Sequence, residues 1–285
     1  MGYICGFGIL AGAGIGFGYA SATPPAIRWF PASKTGLIAG LVVSGFGLAA
    51  AYMGPLASWM IDQFTLQVTM LILGVAFLVV VAGLAQLLAL PPEGYVPAES
   101  GPKTKDGDSA PAVEVSPRQM ISTGKFWILW LMYSCGAGAG LMIIGKLKPI
   151  VREASDLAWF APLCLASLAF GNAAGRIVAG MMSDKLGRTT TMFFVFLLQA
   201  GVMVALIFLG SFAAVVFVLA IVAGFNYGAN LSVFPSATKD LFGLKSFGTN
   251  YGIMFTAWGF GGVVLPLIAG KVVDATQNFN LAYII

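Results

Sequence analysis

Histidine does not occur in this 285-residue chain. Its absence removes the commonest metal ligand and the side chain most used to move protons near neutral pH. Charge is scarce too: Asp, Glu, Lys and Arg together make up 9% of the residues, too few to clothe a water-soluble domain of this length. The 3 cysteines, Cys5, Cys135 and Cys164, each sit in an apolar stretch. No two are spaced like a metal motif, so they read as core or lipid-facing residues. No constellation for hydrolytic or redox chemistry can be assembled, and the expectation is a non-enzyme without metal or cofactor. The net charge of +4 comes from basic residues scattered between apolar runs, not from a stripe on one element, which argues against nucleic acid as a partner.

What the chain has in abundance is apolar length. Hydrophobic residues make up 59% of it, and runs of the roughly 20 residues needed to cross a bilayer fall at 2–22, 36–61, 67–90, 126–145, 157–182, 190–210, 212–234 and 248–273. A further run starts at Asn280 and is cut at Ile285. The pattern predicts an all-α membrane protein. Assigning alternate breaks to opposite sides puts Arg28, Lys34, Lys103, Lys105, Arg118, Lys125, Lys185, Arg188, Lys239 and Lys245 on one face, and Lys146, Lys148, Arg152 and Lys271 on the other. The richer face is expected to be cytoplasmic. On this orientation the first helix enters at Met1 from outside, and it lacks the flanks of a secretory signal. The longest break, Pro91–Thr123, holds six prolines and mixed charges and reads as a disordered cytoplasmic linker.

Shifting the chain by 212 residues against itself brings Ile9, Ala11, Gly12 and Gly16 onto Ile221, Ala223, Gly224 and Gly228. The same offset brings Phe30, Gly36, Gly40, Gly47, Ala57 and Asp62 onto Phe242, Gly248, Gly252, Gly259, Ala269 and Asp274. One gapless offset that aligns loop, glycine and terminal aspartate positions indicates duplicated halves, a design in which two bundles rock about a midplane site. Three helices lie between the linker and the second copy, so three are expected before the first. The implied architecture has twelve helices in two halves of six. Residues 1–90 would be the last three helices of the first half, 91–123 the linker, and 124–285 helices seven to eleven with the start of twelve.

One charge lies deep in an apolar run. Arg176 stands eight residues before Asp184 on one predicted helix, which puts it about 12 Å inside. An arginine at such depth costs from about 3 to more than 10 kcal/mol, so it should face the bundle interior with a partner. No Asp or Glu lies deep in any span of this chain. An incoming carboxylate would serve, in a bidentate pair; backbone carbonyls, or an acid from helices outside this chain, are the alternatives. Asn172, one turn earlier, should share that face.

The turn after this helix reads Gly180-Met-Met-Ser-Asp184-Lys185-Leu-Gly187-Arg188. Asp184 suits a helix cap or a pair with a neighbouring base, Gly187 a tight turn, and Arg188 a pair across the bundle. The pattern resembles the signature loop of the major facilitator superfamily, here between helices eight and nine. Closer likeness lies in Pro24-Pro25-Ala-Ile-Arg28-Trp29-Phe30-Pro31, in Asn172-Ala-Ala-Gly175-Arg176 and in Tyr251-Gly252-Ile-Met-Phe255-Thr256-Ala257-Trp258-Gly259. These stretches resemble the oxalate/formate antiporter family and its monocarboxylate-transporter-like relatives. The resemblance implies a secondary transporter of small organic anions that works by alternating access and exchange, a monomer in the cell (inner) membrane. It matches Arg176 to the arginine that holds the substrate carboxylate, and Tyr227 and Phe255 to aromatic positions of the cavity. Proton-coupled relatives carry an aspartate where this chain has Asn172, which favours exchange over proton symport. Oxalate-handling members carry a lysine where this chain has Trp258, so a monocarboxylate such as formate or lactate is expected before oxalate. The alternatives are a proton-coupled symporter and a truncated membrane protein that moves no substrate.

Two further expectations concern helix contacts and charge at the mouth. Gly8, Gly12 and Gly16, with Gly14 and Gly18, make small-residue ridges along the first helix suited to close backbone approach. Lys146, Lys148 and Arg152 would lie at the outer mouth.

Overall fold

A computed structural model of the chain describes residues 4–92, 94–95, 97, 114–157 and 159–276. The run expected from Asn280 and the middle of the 91–123 break lie outside them. A π-helical stretch, Ile4–Ala11, leads without interruption into α1, Gly12–Trp29. Then come α2, Thr35–Gln63; α3, Leu66–Ala85; the short α4, Pro117–Ile121; α5, Gly124–Ala154; α6, Phe160–Leu186; α7, Arg188–Leu209; α8, Ala213–Phe242; and α9, Phe247–Thr276. Among the described residues, seven of these helices are long and apolar enough to cross a membrane. The expected first span is helical but falls outside that set, because α1 runs on through Pro24 and Pro25 to Arg28 in its last turn.

Local chemistry sets the helix limits. Thr65 caps α3 by accepting from the Val68 N–H at 3.3 Å, and Thr123 caps α5 by accepting from the Phe126 N–H at 3.3 Å; each satisfies one of a helix's orphan donors. Between α6 and α7 stands Gly187 at φ +89°, a conformation that a Cβ disfavours, so the signature loop turns within one residue. Part of the expected disordered linker is ordered. Ser116 and Gln119 form a reciprocal capping box on α4 with Pro117 in its first turn, and Met120 is fully buried. A short amphipathic turn with both caps satisfied can seat itself on the bundle despite its polar neighbours.

The tightest packing follows glycine. Along α2, Gly36, Gly40 and Gly47 lie against the α6 backbone at Gly180, Arg176 and Ala173, and helix axes can approach this closely only where no Cβ intervenes. The α6–α8 contact is built the same way: Gly175 meets Phe225, and Gly228 meets Asn172. The ridge expected to serve this purpose does not. Gly8, Gly12, Gly14, Gly16 and Gly18 have no atom within 4 Å of where a Cβ would stand, among the described residues. Outward surfaces are apolar, as with Leu71, Leu78 and Val79 on α3 and Phe193, Leu197 and Phe208 on α7, all exposed. Such a surface suits hydrocarbon and not water.

Polar groups gather at one end, called here the basic end. Arg28 Nη2 donates to the Leu244 carbonyl at 3.1 Å, and Lys239 Nζ donates to Thr35 Oγ1 at 3.0 Å. Glu114 accepts from the N–H groups of Leu244 (3.2 Å) and Lys245 (2.8 Å). These bonds join α1 to the α8–α9 turn and α2 to the last turn of α8, and fix the α8–α9 turn to the segment before α4.

Candidate functional site

Arg176 lies on the face of α6 that packs between α2 and α8, and is 2% exposed. The expectation of a deep interior arginine is met, but the group is not bare. Its Nε donates to Asn172 Oδ1 at 3.1 Å, one turn back on the same helix. Its Nη1 donates to the hydroxyl of Tyr19 on α1 at 3.1 Å and to the backbone carbonyl of Val43 on α2. That carbonyl can serve because its second lone pair is free of the helix ladder. Nη2 makes no hydrogen bond among the described residues.

These acceptors are dipoles. They satisfy donors, but they leave the positive charge itself without a counter-ion, and in a dry interior that charge remains costly. Among the described residues the ion pairs join Arg188 to Asp184, Arg188 to Asp240, and Lys239 to Asp240, all at the basic end. Arg176 therefore offers a full charge and one free pair of N–H groups on Nη2 to an anion. A bidentate carboxylate would have to displace Tyr19, Val43 or Asn172 from the neighbouring nitrogens.

The aromatic residues singled out in the sequence come together around this group. Tyr19 packs between Phe46, with ring centroids 4.4 Å apart, and Phe255, at 5.1 Å. Phe255 stacks on Trp258 at 5.3 Å with 6° between planes, and Trp258 Nε1 donates to the Tyr227 hydroxyl at 3.0 Å. Tyr227, Phe255 and Trp258 thus form one wall, joined to Arg176 through Tyr19. Asn172 and Tyr227 are buried at 8% and 7% exposure.

The signature loop forms a second cluster. Asp184 accepts from the N–H groups of Gly36 (2.8 Å) and Leu37 (2.9 Å), the first turn of α2. It also pairs with Arg188 at 2.6 Å, and Arg188 reaches on to Asp240 of α8 at 2.7 Å. Both roles expected of Asp184 are present together, and Arg188 does pair across the bundle. Gly180 serves by close approach: a Cβ there would strike the Gly36 carbonyl. Lys185 is exposed and takes no part in this cluster.

Tyr19, the Val43 carbonyl and Asp240 were not foreseen. A phenol in a helix of small and apolar residues was the available signal for Tyr19; nothing local marks one helix carbonyl among many. Asp240 aligns with Arg28 under the 212-residue offset, a mismatch of charge that conceals it.

The family model described as Major Facilitator Superfamily matches residues 1–272. Among curated proteins, the oxalate:formate antiporter of Oxalobacter formigenes is 27% identical over 281 residues, 97% of this chain and 64% of that protein. The uncharacterized MFS-type transporter YhjX of Escherichia coli is 28% identical over 258 residues, 90% of this chain and 62% of that protein. Monocarboxylate transporter 13 of Rattus norvegicus is 22% identical over 287 residues, 98% of this chain and 62% of that protein. The chain spans less than two thirds of the length of each of these relatives.

Proposed function

The chain belongs to the Major Facilitator Superfamily, and from that premise we propose that it acts in a secondary transporter of small organic anions, by alternating access and anion exchange. It is a multi-pass membrane protein. The proposal takes residues 1–90 and 124–285 as parts of two rocking halves, and 91–123 as a linker on the cytoplasmic side of the cell (inner) membrane, with the basic end facing the same way. The working unit is a monomer.

One observation carries the reading: a buried guanidinium whose donors are partly met by dipoles while its charge is met by no acid among the described residues. A mobile carboxylate would supply the missing charge. The names of the relatives support that substrate class, since one is an oxalate:formate antiporter and another a monocarboxylate transporter. With a single cation beside the aromatic wall and Trp258 where a second would stand, monocarboxylates such as formate or lactate fit ahead of doubly charged oxalate. Exchange fits better than proton symport, because Asn172, the polar side chain on Arg176, does not titrate.

The test is Arg176→Lys in the full-length protein reconstituted in proteoliposomes, with uptake of labelled formate and lactate. An ammonium is a point charge without the planar fork, so the expected result is a loss of at least about tenfold in uptake rate, the equivalent of about 1.4 kcal/mol. Unchanged kinetics would overturn the reading.

A further inference from the structure

Two phenols beside this site are buried with no hydroxyl partner but each other. Tyr133 on α5 and Tyr251 on α9 are 0% and 2% exposed; their hydroxyls face one another, and neither makes a regular hydrogen bond among the described residues. A ring that only fills space would do so better as phenylalanine, because a buried hydroxyl loses its water, and two phenols with only each other leave at least one O–H donor without an acceptor. Two such groups close to one charged site call for an explanation that packing does not supply.

Their placement gives one. Tyr133 stacks on Phe234 at 4.2 Å and lies 6.2 Å from Phe255; Tyr251 lies 5.7 Å from Phe255. Tyr19 packs on that same ring at 5.1 Å, with its hydroxyl on Arg176. Phe255 is thus the ring on which the cluster centres: Tyr19 and Trp258 stack on it, and Tyr133 and Tyr251 meet it at 57° and 49°. Tyr251 stands four residues into α9 and Tyr133 nine into α5, about 6 Å and about 14 Å from the helix starts at the basic end. Arg176 stands ten residues from the end of α6, about 15 Å in. Tyr133 therefore stands at about the depth of Arg176 and Tyr251 between that depth and the basic end, which is closed here by the Asp184 cap on α2 and by the Tyr251–Phe247 stack, at 5.8 Å.

We propose that Tyr133 and Tyr251 form an inner carboxylate subsite, where two phenol O–H groups donate to the oxygens of a small organic anion as it passes between Arg176 and the basic end. The proposal rests on the carboxylate reading of Arg176. Hydrogen bonds from neutral donors to a carboxylate are short and strong, and neutral donors hold an anion without trapping it as a second buried cation would. The subsite opens when Phe255 and Tyr19 part.

The experiment uses Tyr133→Phe, Tyr251→Phe and the double variant in the full-length protein, oriented in proteoliposomes. Half-saturation for labelled formate is measured from each face, together with the thermal unfolding midpoint. The expected result is a rise of about tenfold at the basic-end face in the double variant, each single variant giving part of it, with the opposite face within about twofold and the midpoint unchanged or higher. An unchanged half-saturation at the basic-end face would overturn the subsite, leaving hydroxyls that are idle or bonded to water. Equal losses at both faces with a lowered midpoint would overturn it too, in favour of a structural role. Arg176→Lys is measured alongside. If it abolishes transport while the phenol variants are silent, the subsite alone falls; if it is also silent, the carboxylate reading falls with it.

Discussion

Asp184 of α6 and Gly36 of α2, 148 residues apart in sequence, are joined by a 2.8 Å hydrogen bond from the Gly36 N–H to the carboxylate. The same carboxylate accepts from Leu37 and pairs with Arg188, which in turn pairs with Asp240. A negative group at a helix start meets both orphan donors and the positive end of the helix dipole. One side chain thus fastens the start of α2 to α6, and through Arg188 to α8. The aromatic contacts of Tyr19 and the guanidinium of Arg176 lie further in along the same α2–α6 seam, so on the proposed transport reading an opening at the basic end has to break this lock.

Asp184→Asn keeps the shape but removes the charge and one carboxylate oxygen. The expected cost is about 1–2 kcal/mol, which opens the seam about tenfold more often. A reporter cysteine at Ile38, which is buried at 7% exposure, would be labelled by a thiol reagent about tenfold faster in the Asp184→Asn background. An unchanged labelling rate would show that the cap does not govern opening.

Glycine gives a test with opposite signs. At Gly180 a methyl group would strike the Gly36 carbonyl, and at Gly40 it would strike the Arg176 carbonyl, whereas at Gly45 nothing lies within 4 Å. Gly180→Ala and Gly40→Ala should each destabilise this packed state by about 1–3 kcal/mol, because backbone cannot yield as a flexible side chain does. Gly45→Ala should stabilise the helix by about 0.5–1 kcal/mol. Thermal unfolding of the purified variants decides: equal effects at the three positions would contradict the packing described.

The spans were legible because bilayer thickness imposes length and composition on each helix independently of the others. The signature loop was legible for a related reason: Gly187 and Asp184 act within a few residues of themselves, so their spacing encodes a turn and a cap. Arg176 was legible as a deep interior charge, since depth can be counted along one helix. Its partners Tyr19 and Val43 were not, being 157 and 133 residues away; contacts between helices are decided by which faces meet, and no local pattern records that. The glycines show the same limit. Gly36, Gly40 and Gly47 touch α6 backbone, while their repeat equivalents Gly248, Gly252 and Gly259 have nothing within 4 Å among the described residues. Equal spacing in sequence therefore did not tell which copy makes the contact. The order of 114–123 was missed because a linker's proline and charge content outweighed a two-residue capping box.

Tyr19 offers a way to separate holding the empty site from binding the anion. Its hydroxyl accepts from Arg176 Nη1 at 3.1 Å, the nitrogen next to the free Nη2, and a carboxylate gripping both nitrogens has to displace either this hydroxyl or the Val43 carbonyl. Tyr19→Phe keeps the ring against Phe46 and Phe255 and deletes only that acceptor. In the empty protein the guanidinium loses a charge-assisted hydrogen bond, and stability should fall by about 1.5–3 kcal/mol. In the presence of formate the loss should shrink, because the anion supplies the missing acceptor and no longer competes with the phenol. The measurement is thermal unfolding of wild type and Tyr19→Phe across a formate titration, in which the variant should gain several-fold more of its stability from the ligand than the wild type does. If formate stabilises both equally, Tyr19 is only a packing residue, and the anion does not displace its hydroxyl from Arg176.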